Sequence, residues 1–452
     1  MPKYRTSLFF ALVIGGVLPV LGGEGSIYER AIKGEYEVSS GLSVNVVGNG
    51  MVDLLLCVPY PVSNLYQDIV WTKPVESEMI SSYPETGEPY IRYAVNAKGQ
   101  GMVGVDRSFM ARLYTVKVDF SKIRQIYGYD VGSVVYQRYT RQPDADSNGN
   151  LWVDTRHEWI ARNVALMRDA GLNALELARA AYALVATNFS YSTGWKNTIS
   201  EIVNSRSGDC GQLSSVFVSL LRAAGIPARC VVCMRPNPNA LYHVWAEFYL
   251  ERYGWIPTDV DYEVENRTLF HRFGVYDDTC IVMSLDTHLS FTTAAGREVS
   301  ACLVQNYAYW WWWYGETTRL EGPYFSLQGN KGYIRKNAFV PETWLVKYYG
   351  GSTPLITFVD ADTDRDGMLA WEEYVAGTIP VDRDSRLVAT ITVDSMGKPS
   401  VDFQPKISDS KEAARRRYRK WGKVDLRDEG WTEILSGQES DFHFFNVSVE
   451  MK

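Results

Sequence analysis

Between Cys210 and Gly225 the apolar residues Leu213, Val216, Phe217, Leu220, Leu221 and Ala224 recur at three- and four-residue steps, the stripe of an amphipathic helix. Asp209 stands at the N-cap position, and Gly225 followed by Pro227 supplies a stop. This predicts Cys210 in the first helical turn. From His243 the period changes to two: Val244, Ala246, Phe248 and Leu250 define one apolar face of a strand, with His243, Trp245 and Glu247 pointing the other way. A turn at Arg252-Tyr253-Gly254 leads into a second strand that ends near Asp259.

The same reading extends along the chain. Tyr114, Val116, Val118 and Phe120 alternate, and Pro- and Gly-bearing turns punctuate the region, so residues 24–140 are expected to form a β-sandwich-like N-terminal domain. A polar linker, Gln142 to Asn150, precedes a helix expected from about Asp154 to Ala170. Asp144, Asp146, Asn148 and Gly149 resemble the front of a calcium loop, but Thr155 holds the twelfth position, so a polar turn is expected there. A second helix follows Asn173, where Asn173 and Glu176 form a capping-box pair and Leu172 and Leu177 a staple. Tyr309 to Tyr314 reads Y-W-W-W-W-Y, a strand with Trp310 and Trp312 on one face and Trp311 and Trp313 on the other. Buried packing is the simpler role for it, and a stacking surface for glycan or peptide is the alternative. Pro341 to Tyr349 suits a short helix, Ile356 to Val359 an extended segment, and residues 385–452 a small β module.

At 452 residues the chain is long enough for several domains and a substantial core. Residues 1–23 carry Lys3 and Arg5, then an apolar run from Leu8 to Leu21 and Gly22-Gly23. This is the pattern of a secretory signal peptide, interrupted by Gly and Pro19 and short for a membrane span. A secreted protein, extracellular or periplasmic and free of the membrane once the signal is cleaved, is the expectation. Cleavage would take the formal net charge from −7 to −9, which disfavours nucleic acid as a partner. The locally basic stretch Lys411 to Lys423 then reads as a solvated strand face. Cys230 and Cys233 have C-x-x-C spacing, but no second pair follows at zinc-site spacing. Sequence alone does not assign disulfides among the six cysteines, Cys280 and Cys302 included.

The chemistry concentrates between Ser207 and Asp259. A thiol in a helix's first turn meets unpaired N–H groups and the positive end of the dipole, which favour the thiolate. A histidine can take the thiol proton and return it to a leaving amine, and a carboxylate can hold the imidazole tautomer. The blocks G-D-C, L-L-R-A-A-G-I-P-A-R, H-V-W-A-E-F-Y and G-W-I-P-T-D resemble the transglutaminase-like superfamily of thiol acyl-transferases. The resemblance covers the core expected at residues 141–340. It implies a papain-like α+β fold, Cys210 as nucleophile, His243 as general base and Asp259 as the orienting acid. It also implies an upstream side chain that helps hold an oxyanion, for which Trp195 is the candidate. Hairpin counting across Arg252-Tyr253-Gly254 instead brings Asp261 nearer to His243, unless a bulge, for example at Pro257, changes the register. Asp259 is the first expectation and Asp261 the runner-up.

Residues 341–384 change character. Asp362, Asp364, Asp366, Gly367 and Glu373 match positions 1, 3, 5, 6 and 12 of D-x-D-x-D-G-x5-E, with the Met368 carbonyl available as a further ligand. The spacing predicts an EF-hand-like Ca²⁺ loop with a structural role, an acidic surface turn being the plainer alternative, and with an extended segment before it, it resembles the isolated loops of dockerin-like or thrombospondin type-3 repeats. The expectation is a secreted α+β cysteine acyl-transferase, protease or amidase acting on protein or peptide amide bonds, with cell-wall or extracellular glycan or protein as candidate further partners. A catalytically silent cell-surface binding scaffold with a papain-like fold is the alternative.

Overall fold

The computed structural model describes residues 26–451 apart from 49, 74–75, 77–78, 83–86, 88, 99–100, 144, 146–148, 195, 197, 237–241, 286–287, 303–309, 316–318, 337, 352–353, 396–398, 405–415, 424–431 and 434–443. The expected signal peptide, Trp195, Tyr309, residues 411–415 of the Lys411 to Lys423 stretch and most of the Asp144 to Asn148 turn lie outside them. Two compact units divide the chain: residues 1–33 with 38–329, and residues 34–37 with 330–452.

In the first unit the helix Cys210–Ala223 is the central element. It packs on the strands Ala228–Met234 and Tyr242–Leu250 and on the helices Glu158–Asp169, Ala174–Asn188 and Ile199–Ser205. Its apolar stripe points to one buried face, yet every residue from Gly211 to Arg222 is buried. The polar positions are accommodated by hydrogen bonds. Ser215 and Ser219 Oγ donate to the carbonyls of Gly211 and Ser215 one turn back, both at 2.7 Å. Ser214 Oγ donates to the Val244 carbonyl (3.2 Å), and Arg222 Nε donates to that of Ala228 (2.7 Å). Short hydroxyls let a helix be enclosed on all sides without stranding a polar group.

Four antiparallel strands lie beside this helix in the order Gly254–Thr258, Tyr242–Leu250, Ala228–Met234, Ile281–Leu285. The His243 strand is also buried on both faces, so its alternation does not mark a solvent side. Ala246 pairs with Cys230, whose sulfur lies 3.9 Å from Ser215 Oγ of the helix. Trp245 joins Val231, Cys233, Tyr66, Val116 and Tyr276 in a second apolar layer. Glu247 is held there by Tyr66 Oη and by Arg229 Nε at 2.7 Å, which neutralises an otherwise costly buried charge.

The strands upstream of residue 140 share their sheets with segments from within the stretch expected as the core, so they do not form the separate sandwich expected for residues 24–140. Tyr28–Val47, Gln67–Lys73 and Gly101–Val118 share a sheet with Val275–Tyr276. Met51–Pro59, Ile80–Ser82 and Pro89–Lys98 share another with the tryptophan strand Trp310–Gly315, an edge strand registered Trp313 to Leu54. Trp313 and Tyr314 are 38% and 53% exposed, and Arg297 lies over the Tyr314 ring at 4.0 Å. Cys280 is a buried free thiol beside Cys233.

In the second unit the expected helix is present as Glu342–Tyr349. The segment Ile356–Val359, expected to be extended, is a helical turn. Leu355 and Val359 pack with Val340, Leu345 and Tyr374, and Thr357 Oγ1 bonds the Pro354 carbonyl at 2.8 Å. Burial of Leu355 and Val359 overrides the β preference of the Ile-Thr-Phe-Val run. A helix, Ala370–Ala376, also follows the acidic loop. Strands Val388–Val393, Pro399–Gln404, Arg416–Lys423, Thr432–Glu433 and Phe444–Met451 complete this unit. Among the described residues no helix is long and apolar enough to cross a membrane.

Candidate active site

Asp209 caps the central helix by accepting from Gln212 N at 3.0 Å, and Gln212 Oε1 accepts from Asp209 N at 3.1 Å. This reciprocal cap holds Cys210 at the first helical position, where N–H groups are left unpaired by the helix itself. Gln212 is fully buried, and its Nε2 donates to the Gly194 and Lys196 carbonyls, both at 3.3 Å. It ties the preceding loop to the start of the helix. The residue was legible in G-D-C-G-Q as the fourth position of a capping box, a signal the Cys-centred reading passed over.

His243 stands near the start of its strand, and the half-buried Cys210 thiol lies close enough to its ring to favour the protonated imidazole. Nε2 of His243 lies 3.0 Å from Oδ2 of Asp259. The structure therefore brings Cys210, His243 and Asp259 together. How Asp259 gets there differs from both sequence alternatives. The hairpin register runs regularly from Leu250–Gly254 to Ala246–Thr258, with no bulge at Pro257. The strand simply ends at Thr258, where an isolated bridge to Phe273 closes it and Asp259 N bonds the Arg272 carbonyl at 3.3 Å. Asp259 then opens the helix Val260–Asn266, and this change of direction, rather than cross-strand pairing, carries its carboxylate to His243.

A buried support stands behind this turn. Tyr182 Oη lies 3.0 Å from the Asp259 carbonyl and 3.1 Å from Glu263 Oε1. Glu263 Oε1 also accepts from Arg272 N at 2.7 Å, and Oε2 accepts from Thr268 Oγ1 at 2.5 Å. Periodicity gives no sign of this network, because Tyr182 stands 81 residues from Glu263 in the chain.

The electrostatics order the charges. Burial opposes the His243 cation, but the Asp259 charge and its hydrogen bond outweigh it and hold the pKa well above the usual histidine range. Burial would raise Asp259, yet His243, a bond from Asp261 and the Arg272 charge bring it down to about 2. Burial first, and then the Asp259 charge, push Asp261 well above the ordinary carboxyl range. The arrangement thus favours an imidazolium facing an ionised Asp259, the polarity a thiolate nucleophile requires.

In the second unit, carboxylate oxygens of Asp362, Asp364 and Asp366 lie within 4.8 Å of one another. Asp362 accepts from Asp366 N and Gly367 N at 3.2 and 3.1 Å, and Asp366 Oδ1 accepts from Met368 N at 2.8 Å. Gly367 has φ +100°, the left-handed backbone that the sixth loop position needs. Glu373 is fully buried, and its Oε2, with Oδ2 of Asp364 and of Asp366, has no hydrogen-bond partner among the described residues. Burial and then the Asp364, Asp366 and Asp362 charges push Glu373 up to about 8. A long buried acid and three short ones, with acceptors left over, fit a hard divalent cation.

Comparison with known proteins adds four findings. An uncharacterized protein of Haemophilus influenzae is 36% identical over 75 residues, a match covering 12% of this chain and 20% of that protein. A solved candidate cysteine protease from Cytophaga hutchinsonii superposes with TM-score 0.40 at 12% identity, covering 67% of this chain and 99% of that one. The periplasmic domain of TgpA from Pseudomonas aeruginosa bound to ethylmercury gives 0.30 at 14% identity, covering 52% and 92%. Residues 160–260, the segment that holds Cys210, His243 and Asp259, match the family model of the transglutaminase-like superfamily and support that superfamily for this core.

Proposed function

We propose that the protein is a secreted cysteine enzyme acting on protein or peptide amide bonds through a Cys210 thioester. The observation that carries the reading is the meeting of a thiol in the first turn of a helix, His243 and Asp259, with the His243–Asp259 contact at 3.0 Å. With Nε2 engaged by Asp259, Nδ1 of His243 is the nitrogen left for the thiol. The Cys210 sulfur attacks the carbonyl carbon, and the developing oxyanion is met by the unpaired N–H groups at the helix start, with Trp195 as the candidate second donor. Collapse breaks the C–N bond, and His243 delivers its proton to the departing amine. Water or a second amine then attacks the thioester and regenerates the thiol, giving hydrolysis or acyl transfer with the same residues.

The acidic loop is read as a structural Ca²⁺ site held by Asp362, Asp364, Asp366, the Met368 carbonyl and Glu373. Support comes from the positional match and from the unpartnered oxygens of Asp364, Asp366 and Glu373. The ion would neutralise mutual repulsion within the loop and supplies no reacting group.

Labelling with a thiol-directed acyl probe, followed by peptide mapping, tests the enzyme reading. Cys210 should label far faster than Cys57, Cys230, Cys233 and Cys280, which are buried, and Cys210→Ala should abolish labelling and turnover while the fold persists. Labelling of Cys210 no faster than a free thiol, with no turnover of peptide amides, would leave the silent-scaffold reading in its place.

A further inference from the structure

Asp261 takes no part in the thiol chemistry above, yet it is only 6% exposed and lies inside the same enclosure. Oxygens of Asp259 and Asp261 and a ring nitrogen of His243 all lie within 4.8 Å of one another. Asp259 Oδ2 is engaged by His243 Nε2, whereas Asp259 Oδ1 and Asp261 Oδ1 are both buried and, among the described residues, have no hydrogen-bond partner beyond each other's carboxyl. Two ionised carboxylates are acceptors only and cannot satisfy each other, and two like charges at this depth repel. One proton between them removes both difficulties. We propose that Asp259 and Asp261 share one proton, with Asp261 as the neutral acid whose O–H fixes one oxygen of Asp259 so that the other stays on His243.

Asp261 is then a positioning residue, acting through Asp259 and touching no substrate. The surroundings agree on which of the two keeps the proton. Facing Asp261 are Asp259, His243 from its strand, Cys210 from the central helix, Tyr182 from the helix Ala174–Asn188 and Tyr191 from Ser190–Tyr191. Arg272 bears on Asp259 and adds to the cation of His243, so the negative charge settles there. The device explains why a second aspartate, two residues on, is tolerated in the interior: it supplies a donor that an alanine or leucine would not.

The kinetic part of this inference rests on the thiol-enzyme reading; the protonation does not, so the two are tested separately. In folded protein carrying Cys210→Ala, the infrared difference spectrum between Asp261 and Asp261→Asn at neutral pH should contain the C=O band of a protonated carboxyl. Taking the difference cancels any contribution from Glu373. In the Cys210 background, alkylation by iodoacetamide should be nearly unchanged in Asp261→Asn, whose amide still donates to Asp259. It should fall about tenfold or more in Asp261→Ala, the loss expected for one hydrogen bond to a charged group. The stability readout has a definite sign. The unfolded Asp261 ionises near pH 4 while the folded one keeps its proton, so the stability of the parent relative to Asp261→Asn should fall as pH rises above about 4. Absence of the carboxyl band, as when a bound divalent cation keeps both groups ionised, would overturn the proposal. So would an Asp261→Asn variant that folds but alkylates as slowly as Asp261→Ala. A carboxyl band in a protein whose Cys210 is unreactive would uphold the shared proton while removing the enzyme reading.

Discussion

Asp259 and His243 are sixteen residues apart and meet only because a strand stops. Their contact has a pH signature with two edges. The depressed Asp259 contributes stability above its unfolded pKa of about 4, lost as pH falls toward about 2. The raised His243 contributes stability in full below its unfolded value of about 6.5, lost as pH rises through its higher folded value. The pair should therefore stabilise most between about pH 4 and 6.5, and urea unfolding of Asp259→Asn against the parent should show its largest deficit in that window. An equal deficit at pH 3 and pH 6 would contradict the ion pair. The same variant should slow Cys210 acylation, by up to about 10⁴ if the amide stabilises the wrong tautomer, as in the serine-protease case where that magnitude was measured. Acylation rates with the probe measure this directly.

At the scale of elements, the helix start is the part on which the thiol depends. Asp209→Ala removes the side chain that accepts from Gln212 N and should cost about 1 kcal/mol of stability, read by thermal or urea unfolding. It should also slow Cys210 labelling, because the first turn loses its fixed geometry. Gly208 makes a sharper test. A Cβ there would stand 2.8 Å from Gln212 Cβ, an atom fixed to the helix backbone, and 3.2 Å from Gln212 Oε1. Gly208→Ala should push the capping glutamine off both Asp209 and the Gly194–Lys196 loop and reduce labelling more than Asp209→Ala does. Labelling at the parent rate in Gly208→Ala would show that this cap does not govern the thiol. The neighbouring strand carries a different lesson. Its buried Glu247 and Trp245 show that a period of two identifies a strand but not how many of its faces are covered.

At the scale of the whole molecule, Cys210, His243 and Asp259 fall in one unit and the acidic loop in the other. Calorimetry with Ca²⁺ against chelator should raise the melting temperature of a transition assigned to residues 330–452, while labelling of Cys210 changes little. Because Glu373 without an ion stands at about 8, Ca²⁺ binding at neutral pH should release a proton. Its affinity should then rise with pH up to about 8, and calcium titrations in buffers of different ionisation heat should disagree by that proton. Titrations with no calcium heat would remove the site, and complete loss of labelling on chelation with an unchanged melting profile would assign the ion to the chemistry.

The central helix with its cap at Asp209, the strand of His243, the helix after Asn173 and the spacing of the acidic loop were all readable from the chain alone. Each rests on a short-range rule: a period, a cap, or a turn residue acting within about one to four turns of helix or one strand. Choosing between Asp259 and Asp261 lay beyond those rules, since it depended on where a strand ends, and Phe273 and Arg272 close that strand from a later segment. The Ile356–Val359 turn departed from its local preference for the same reason, because Leu345 and Tyr374 bury Val359 and the Leu355 before it. The Tyr182–Glu263–Thr268 support and the carboxyl pair are wholly tertiary. Burial sets the protonation of Asp261, and burial is a property of what surrounds a residue rather than of the residue and its immediate neighbours in the chain.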